Sequence, residues 1–179
     1  NAGTLDHGVR TIAYASAMEG LGQRHPDDIE AAVFHALALI AAGTMDSDPS
    51  FAREHQAAKI LNMALARQPR HPGIAHYLIH GYDYPALARF ALPAARIYAN
   101  IAPASAHAQH MPSHIFTRMG YWKEAARSNL AAEAAAKSYA SAHGLPGAWD
   151  EQLHAIDYLA YAYLQLGQDS KARAVLDRM

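Results

Sequence analysis

Two stretches of the sequence carry histidines in the same pattern. HPGIAHYLIHGYDYP covers residues 71–85, and AHAQHMPSHIFTRMGYW covers residues 106–122. A shift of 34 residues places His76 on His110 and His80 on His114. Because residues four apart lie on one face of a helix, each pair brings two imidazoles within about 5–6 Å of each other. The sequence therefore predicts a repeated scaffold that carries a repeated histidine pair.

Two chemistries use such pairs. Imidazole is the commonest side-chain ligand of divalent metals, and an i, i+4 pair can point two nitrogens at one ion. His76, His80, His110 and His114 are therefore candidate ligands of zinc, nickel or copper. Neutral imidazoles beside tyrosine and arginine could instead bind a peptide or a small anion. A third interpretation is a purely structural interaction module in which the histidines are buried and hydrogen bonded.

Composition limits the class of protein and the kinds of partner. Apolar residues make up 51% of the 179 residues, and alanine dominates them, which favours an all-α domain. The formal net charge of −1 offers no field that would recruit nucleic acid or an anionic membrane surface. The sequence has no apolar run of the ~20 residues that a membrane span needs. Cysteine is absent, which fits either the cytoplasm or the periplasm, so the compartment stays open.

The apolar periodicity predicts a series of helices that position these pairs. The expected ranges are 7–22, 29–43, 51–69, 72–83, 86–101, 106–119, 121–144, 150–167 and 168–179. Pro93 should break or kink the fifth of these, with a short turn before a helix that starts near Leu92. Pro112 should either kink the sixth helix, or a helix should begin at Met111 with Pro112 as its first residue. In the second case, His107 and His110 would lie outside the helical register.

Helix pairs with a 34-residue period resemble the tetratricopeptide repeat family. The matching residues are Leu159, Ala160, Tyr163, Gly167 and Ala172 in the last unit, Phe116, Gly120, Trp122 and Ala125 in the unit before it, and the unit-ending Pro69 and Pro103. The resemblance covers about residues 26–179 and implies an α-solenoid with a right-handed superhelix. The HMPSHIF segment is also similar to a bacterial group of such repeat proteins, and this similarity brings no established activity with it.

The same resemblance divides the chain into approximate units within one domain. They are a partial unit at 1–26 and full units at 27–69, 72–105, 106–144 and 150–179. The partial first unit predicts that the sequence is a fragment of a longer chain. Its N-terminal helix would expose an apolar face that could pair with a second copy, giving a homodimer.

In the tetratricopeptide family, five positions of the first helix of each unit face a concave groove that holds a peptide or protein segment. Six of the twelve histidines fall on the fifteen such positions of the last three units. The candidate groove residues are His76, His80, Asp83, Tyr84, His107, His110, His114, Arg118, His154, Asp157 and Tyr161. The resemblance therefore implies a histidine-rich groove that binds a peptide or protein segment.

The sequence favours a binding protein over an enzyme. It has no nucleophile elbow, phosphate loop, dinucleotide fingerprint or HExxH motif. The alternative is a metal-dependent site, which could be hydrolytic, built from the two histidine pairs. In that case Asp157 or His154 would handle protons.

Overall fold

The computed structural model describes residues 6–45 and 48–178, and within them the chain forms ten α-helices and no strand. The helices are α1 (His7–Arg24), α2 (Ile29–Gly43), α3 (Ala52–Arg67), α4 (Pro72–Gly81), α5 (Ala88–Ile101), α6 (Ala106–His110), α7 (Pro112–Arg118), α8 (Trp122–Ala142), α9 (Asp150–Gln165) and α10 (Asp169–Leu176). Within these ranges, none of the helices combines the length and apolar character that crossing a bilayer requires.

The chain divides into two compact units, and the boundary between them in the sequence lies between Gly81 and Tyr82. In the first unit each helix packs on the next, from α1 to α4. In the second unit α8 packs against α6, α7 and α9, while α5 packs against α6 and α7 and α10 packs against α9. The finer division into repeat units stays a prediction.

Alanine lets these helices approach one another closely. Ala57 and Ala58 are buried in α3, and Ala125, Ala132 and Ala136 form a buried stripe along α8. Larger side chains fill the remaining space, and Leu61 in α3 is fully buried. Small side chains on facing helices shorten the distance between helix axes, so polar groups on neighbouring helices come within hydrogen-bonding range.

Two helix ends show how well local signals predicted the boundaries. The Asp28 carboxylate accepts a hydrogen bond from the Ala31 amide at 3.1 Å and caps α2, whose observed range agrees with the predicted range 29–43. The predicted end of the first helix at residue 22 is wrong, because α1 continues past Gly20 and Gly22 to Arg24. A glycine lowers helix propensity by about 1 kcal/mol relative to alanine, and packing on α2 offsets that cost.

The prediction that a helix starts near Leu92 is also wrong. The helix α5 begins at Ala88 and holds Pro93 in its interior. Proline deprives the carbonyl four residues earlier, that of Arg89, of its helical hydrogen bond. Both Pro93 and Arg89 are exposed, so water can satisfy this carbonyl.

Replacing Leu61 tests the core of the first unit. We expect Leu61→Ala to lower the free energy of unfolding by about 2–5 kcal/mol, because it leaves a cavity at a fully buried position. The matched control is Met63→Ala, since Met63 lies on the same helix and is 65% exposed. The control should stay within about 0.5 kcal/mol of the wild type in urea unfolding. Equal effects of the two substitutions would contradict this packing.

Candidate ligand-binding site

The junction between α6 and α7 brings the side chains of His110 and His114 next to each other. Met111 separates the two helices but has helical dihedral angles (φ −52°, ψ −37°), and its amide donates to the His107 carbonyl at 2.9 Å. Pro112 is the first residue of α7, where its missing N–H costs no hydrogen bond. The chain thus keeps a helical path through the junction, and the Nε2 atoms of His110 and His114 lie 3.0 Å apart.

His110 is buried, with 1% of its surface exposed, and it is held by one partner on α8. Its Nδ1 donates to Asn129 Oδ1 at 2.7 Å. The amide of Asn129 can be oriented only this way, because its Nδ2 donates to the Ala125 carbonyl at 2.9 Å. His110 therefore carries its proton on Nδ1 and a lone pair on Nε2.

The protonation of His110 follows from its surroundings. Burial lowers the pKa of His110 to about 3, although the hydrogen bond to Asn129 acts in the opposite direction. The neighbouring His114, His154 and His107 act in the same direction as burial and contribute to this low pKa. The ring is consequently neutral near pH 7 and available as a lone-pair donor through Nε2.

His114 belongs to a charged hydrogen-bond chain. Its Nδ1 lies 2.9 Å from Asp83 Oδ2, and Arg118 Nε donates to the other oxygen, Oδ1, at 2.9 Å. Partial burial would raise the pKa of Asp83, but the hydrogen bonds from His114 and Arg118 outweigh it and hold the pKa below its usual value. An ionised carboxylate only accepts, so His114 donates from Nδ1 and its Nε2 faces His110.

The helix α9 adds a third imidazole and a phenol. The His154 ring centroid lies 4.4 Å from that of His110 and 6.4 Å from that of His114. One ligand nitrogen from each of these three histidines lies within 4.8 Å of the others. Tyr158 packs edge-on against His110 at 4.8 Å, and burial together with the carboxylates of Asp83 and Asp157 raises the pKa of its hydroxyl. Tyr158 therefore stays protonated beside the imidazoles.

A cavity of about 370 Å³ opens next to His114 in the second unit. It is lined by Asp83, His114, Thr117, Arg118, Asp157, Tyr158 and Tyr161. Tyr161 is 48% exposed and packs edge-on against Trp122, with the ring centroids 5.7 Å apart. The cavity thus combines two phenol rings, two carboxylates and one guanidinium.

The structure brings together seven of the eleven predicted groove residues, all in the second unit. They are Asp83, His110, His114, Arg118, His154, Asp157 and Tyr161. His107 is half-buried, and its Nδ1 lies 3.6 Å from Glu151 Oε1. Tyr84 lies in the turn before α5. In the first unit, His76 and His80 form their own pair on α4, with Nε2 atoms 3.0 Å apart.

Sequence reasoning missed two residues of this site, Asn129 and Tyr158. Asn129 is fully buried on α8, in line with Ala125, Ala132 and Ala136. A lone amide on an otherwise apolar stripe indicates a buried hydrogen-bond partner, and that signal was present in the sequence. Tyr158 lies four residues after His154, so the helical spacing that identified the other pairs also linked these two.

The buried His110 should make stability depend on pH. Its folded-state pKa lies below the usual value of about 6.5, so the unfolded chain binds the extra proton first. Stability is therefore full above about pH 6.5 and falls as the pH drops toward 3. Between about pH 7 and pH 5 we expect the wild type to lose about 2 kcal/mol more than His110→Gln in urea unfolding.

The control for this measurement is His25→Gln, since His25 is exposed. This variant should keep the pH dependence of the wild type. A His110→Gln variant with an unchanged pH slope would show that His110 is solvated in the folded protein.

Comparisons with known proteins bear on the fold. No family model matches the sequence, and no curated protein matches it at a significant level. Among solved structures, residues 41 to the end of MamA from Desulfovibrio magneticus RS-1 match with a TM-score of 0.69 and 13% identity, covering 91% of this chain and 80% of that one. MamA of MSR-1 matches with a TM-score of 0.62 and 17% identity, covering 94% and 90%.

A third structure, MamA of AMB-1, gives a TM-score of 0.61 at 18% identity and covers 94% of this chain and 85% of that one. MamA is a protein with tetratricopeptide repeats. At these identities the likeness establishes the fold. The predicted class is therefore confirmed, and the chain is an all-α solenoid of antiparallel helix pairs of the tetratricopeptide type.

Proposed function

We propose that this protein binds a peptide or protein segment through its second unit, and that one side chain of the segment enters the cavity beside His114. The observation that carries this proposal is the cavity itself. It is large enough for one long side chain and is lined by residues of α7 and α9 and by Asp83. Tetratricopeptide-type folds present helix faces of this kind to extended segments, which supports the same assignment.

The tyrosines supply the apolar contact area. Tyr158 is half-buried and Tyr161 is 48% exposed, so a ligand that covers both removes aromatic surface from water. Tyrosine loses little conformational entropy when it is immobilised, and it is enriched among residues that dominate binding energy. Trp122 packs edge-on against the ring of Tyr161.

The charges favour a basic side chain in the cavity. Asp83 and Arg118 satisfy each other at 2.9 Å, and Asp157 adds a second carboxylate to the lining. The lining therefore has two carboxylates for one guanidinium. A lysine or arginine of the bound segment would meet Asp157 and the faces of the two phenol rings, where a cation is attracted by the π electrons.

The cavity walls are already fixed before a ligand arrives. Asp83 is held from two sides, by His114 and by Arg118. Groups that are ordered in the free protein lose less entropy on binding. A preorganised wall beside exposed aromatic rings is an arrangement suited to recognising one side chain.

A random peptide library displayed on phage and selected on the immobilised protein tests this function. We expect the enriched peptides to share a lysine or arginine. Tyr161→Ala should weaken their binding by about 1–2 kcal/mol, or about 5- to 30-fold, because it removes one aromatic wall of the cavity. Binding is measured by fluorescence anisotropy with a labelled peptide.

The matched control is Tyr14→Ala. Tyr14 lies on α1 in the first unit and is 52% exposed, so the substitution removes a similar tyrosine outside the cavity. Affinity should not change in this variant. Enrichment of peptides without a basic residue would refute the assigned specificity, and equal binding by Tyr161→Ala would place the binding surface elsewhere.

A further inference from the structure

The contact between His110 and His114 poses a chemical problem. Both rings use Nδ1 to donate a proton, His110 to Asn129 and His114 to Asp83. In two neutral rings the Nε2 atoms then carry only lone pairs, yet these atoms lie 3.0 Å apart. Two lone pairs at this distance repel unless a positive charge lies between them.

Either a shared proton or a metal cation can supply that charge. A shared proton needs two nitrogens only, and it gives no reason for a third imidazole at the same place. His154 supplies that third imidazole, since one of its nitrogens lies within 4.8 Å of the ligand atoms of His110 and His114. Three imidazoles that converge on one point are the donor set of a nitrogen-bound divalent metal.

The distances fit such an ion after a small adjustment. Zinc binds imidazole nitrogen at about 2.0–2.1 Å, so two ligand nitrogens in tetrahedral geometry lie about 3.4 Å apart. His110 and His114 at 3.0 Å need to separate by a few tenths of an ångström. His154 is exposed, so its side chain can rotate to shorten its distance to the other two.

The groups behind the histidines are those that metal ligands use. A ligating histidine usually donates its other N–H to a carboxylate, an amide or a carbonyl, which fixes the tautomer and directs the lone pair. His110 has this arrangement with Asn129, and His114 has it with Asp83. Two of the three rings are thus locked with Nε2 directed at the common point.

From this geometry we infer a divalent transition-metal site, best suited to zinc, formed by His110 Nε2, His114 Nε2 and one imidazole nitrogen of His154. This site goes beyond the proposed peptide binding and does not depend on it. Of the two predicted histidine pairs it uses His110 and His114, and it replaces His76 and His80 with His154. Three protein ligands leave one position of a tetrahedral ion open for water or an added ligand.

Zinc titration of tag-free, chelator-treated protein against a chromogenic zinc chelator tests the site. We expect the wild type to bind about one zinc ion per chain. Loading the same protein with cobalt(II) should give the visible absorption of a tetrahedral nitrogen-bound ion. His154→Ala should abolish this stoichiometric binding. Because His154 is exposed, the variant should fold normally, which a thermal melt monitored by circular dichroism verifies.

Three further variants make the test specific. Asn129→Ala removes the group that orients His110 and should weaken zinc binding by about 10- to 100-fold. His25→Ala removes an exposed histidine outside the cluster and should leave affinity unchanged. His80→Ala opens the other pair and should also leave the stoichiometry unchanged.

Several results would overturn the inference. Absence of zinc binding by the wild type would mean that a proton bridges His110 and His114. Equal binding by the wild type and His154→Ala would show that the ion lies elsewhere. Loss of zinc in His80→Ala, with retention in His154→Ala, would assign the metal to the pair on α4.

Discussion

The hydrogen bond between His110 and Asn129 is the interaction on which the candidate site depends. Both residues are almost completely buried, so neither side chain can turn to water if the bond breaks. An unsatisfied buried polar group costs about 1–3 kcal/mol, which makes this geometry the preferred one. The bond ties α6 to α8 and fixes the tautomer of His110. It thereby determines which nitrogen faces His114 and α9.

The alanine-rich helices make that bond possible. Ala125, Ala132 and Ala136 present no bulk on the buried face of α8, so the short side chain of Asn129 can reach a ring on α6. In the second unit, buried alanines line the contacts between helices, and a few polar side chains are buried among them. Glu133, also buried on α8, is paired with Lys137 on the same helix and with Arg178 just after α10.

The sequence predicted the features that local periodicity controls. The 34-residue period led to the correct fold, and the i, i+4 spacing led to both histidine contacts, on α4 and across the α6–α7 junction. It could not show that His154 joins the pair at His110, because that depends on how α9 packs. Pro93 was misjudged because propensity describes an isolated helix, whereas α5 is held by packing on α6 and α7.

The 34-residue shift also compares the surroundings of the two histidine pairs. In the sequence, the same shift that carries His110 and His114 back to His76 and His80 carries Asn129 back to Ala95 and Asp83 back to Pro49. Neither alanine nor proline has a side-chain acceptor. The two segments thus share the spacing of their imidazoles but not the groups that orient the rings, so identical histidine spacing can accompany different chemistry.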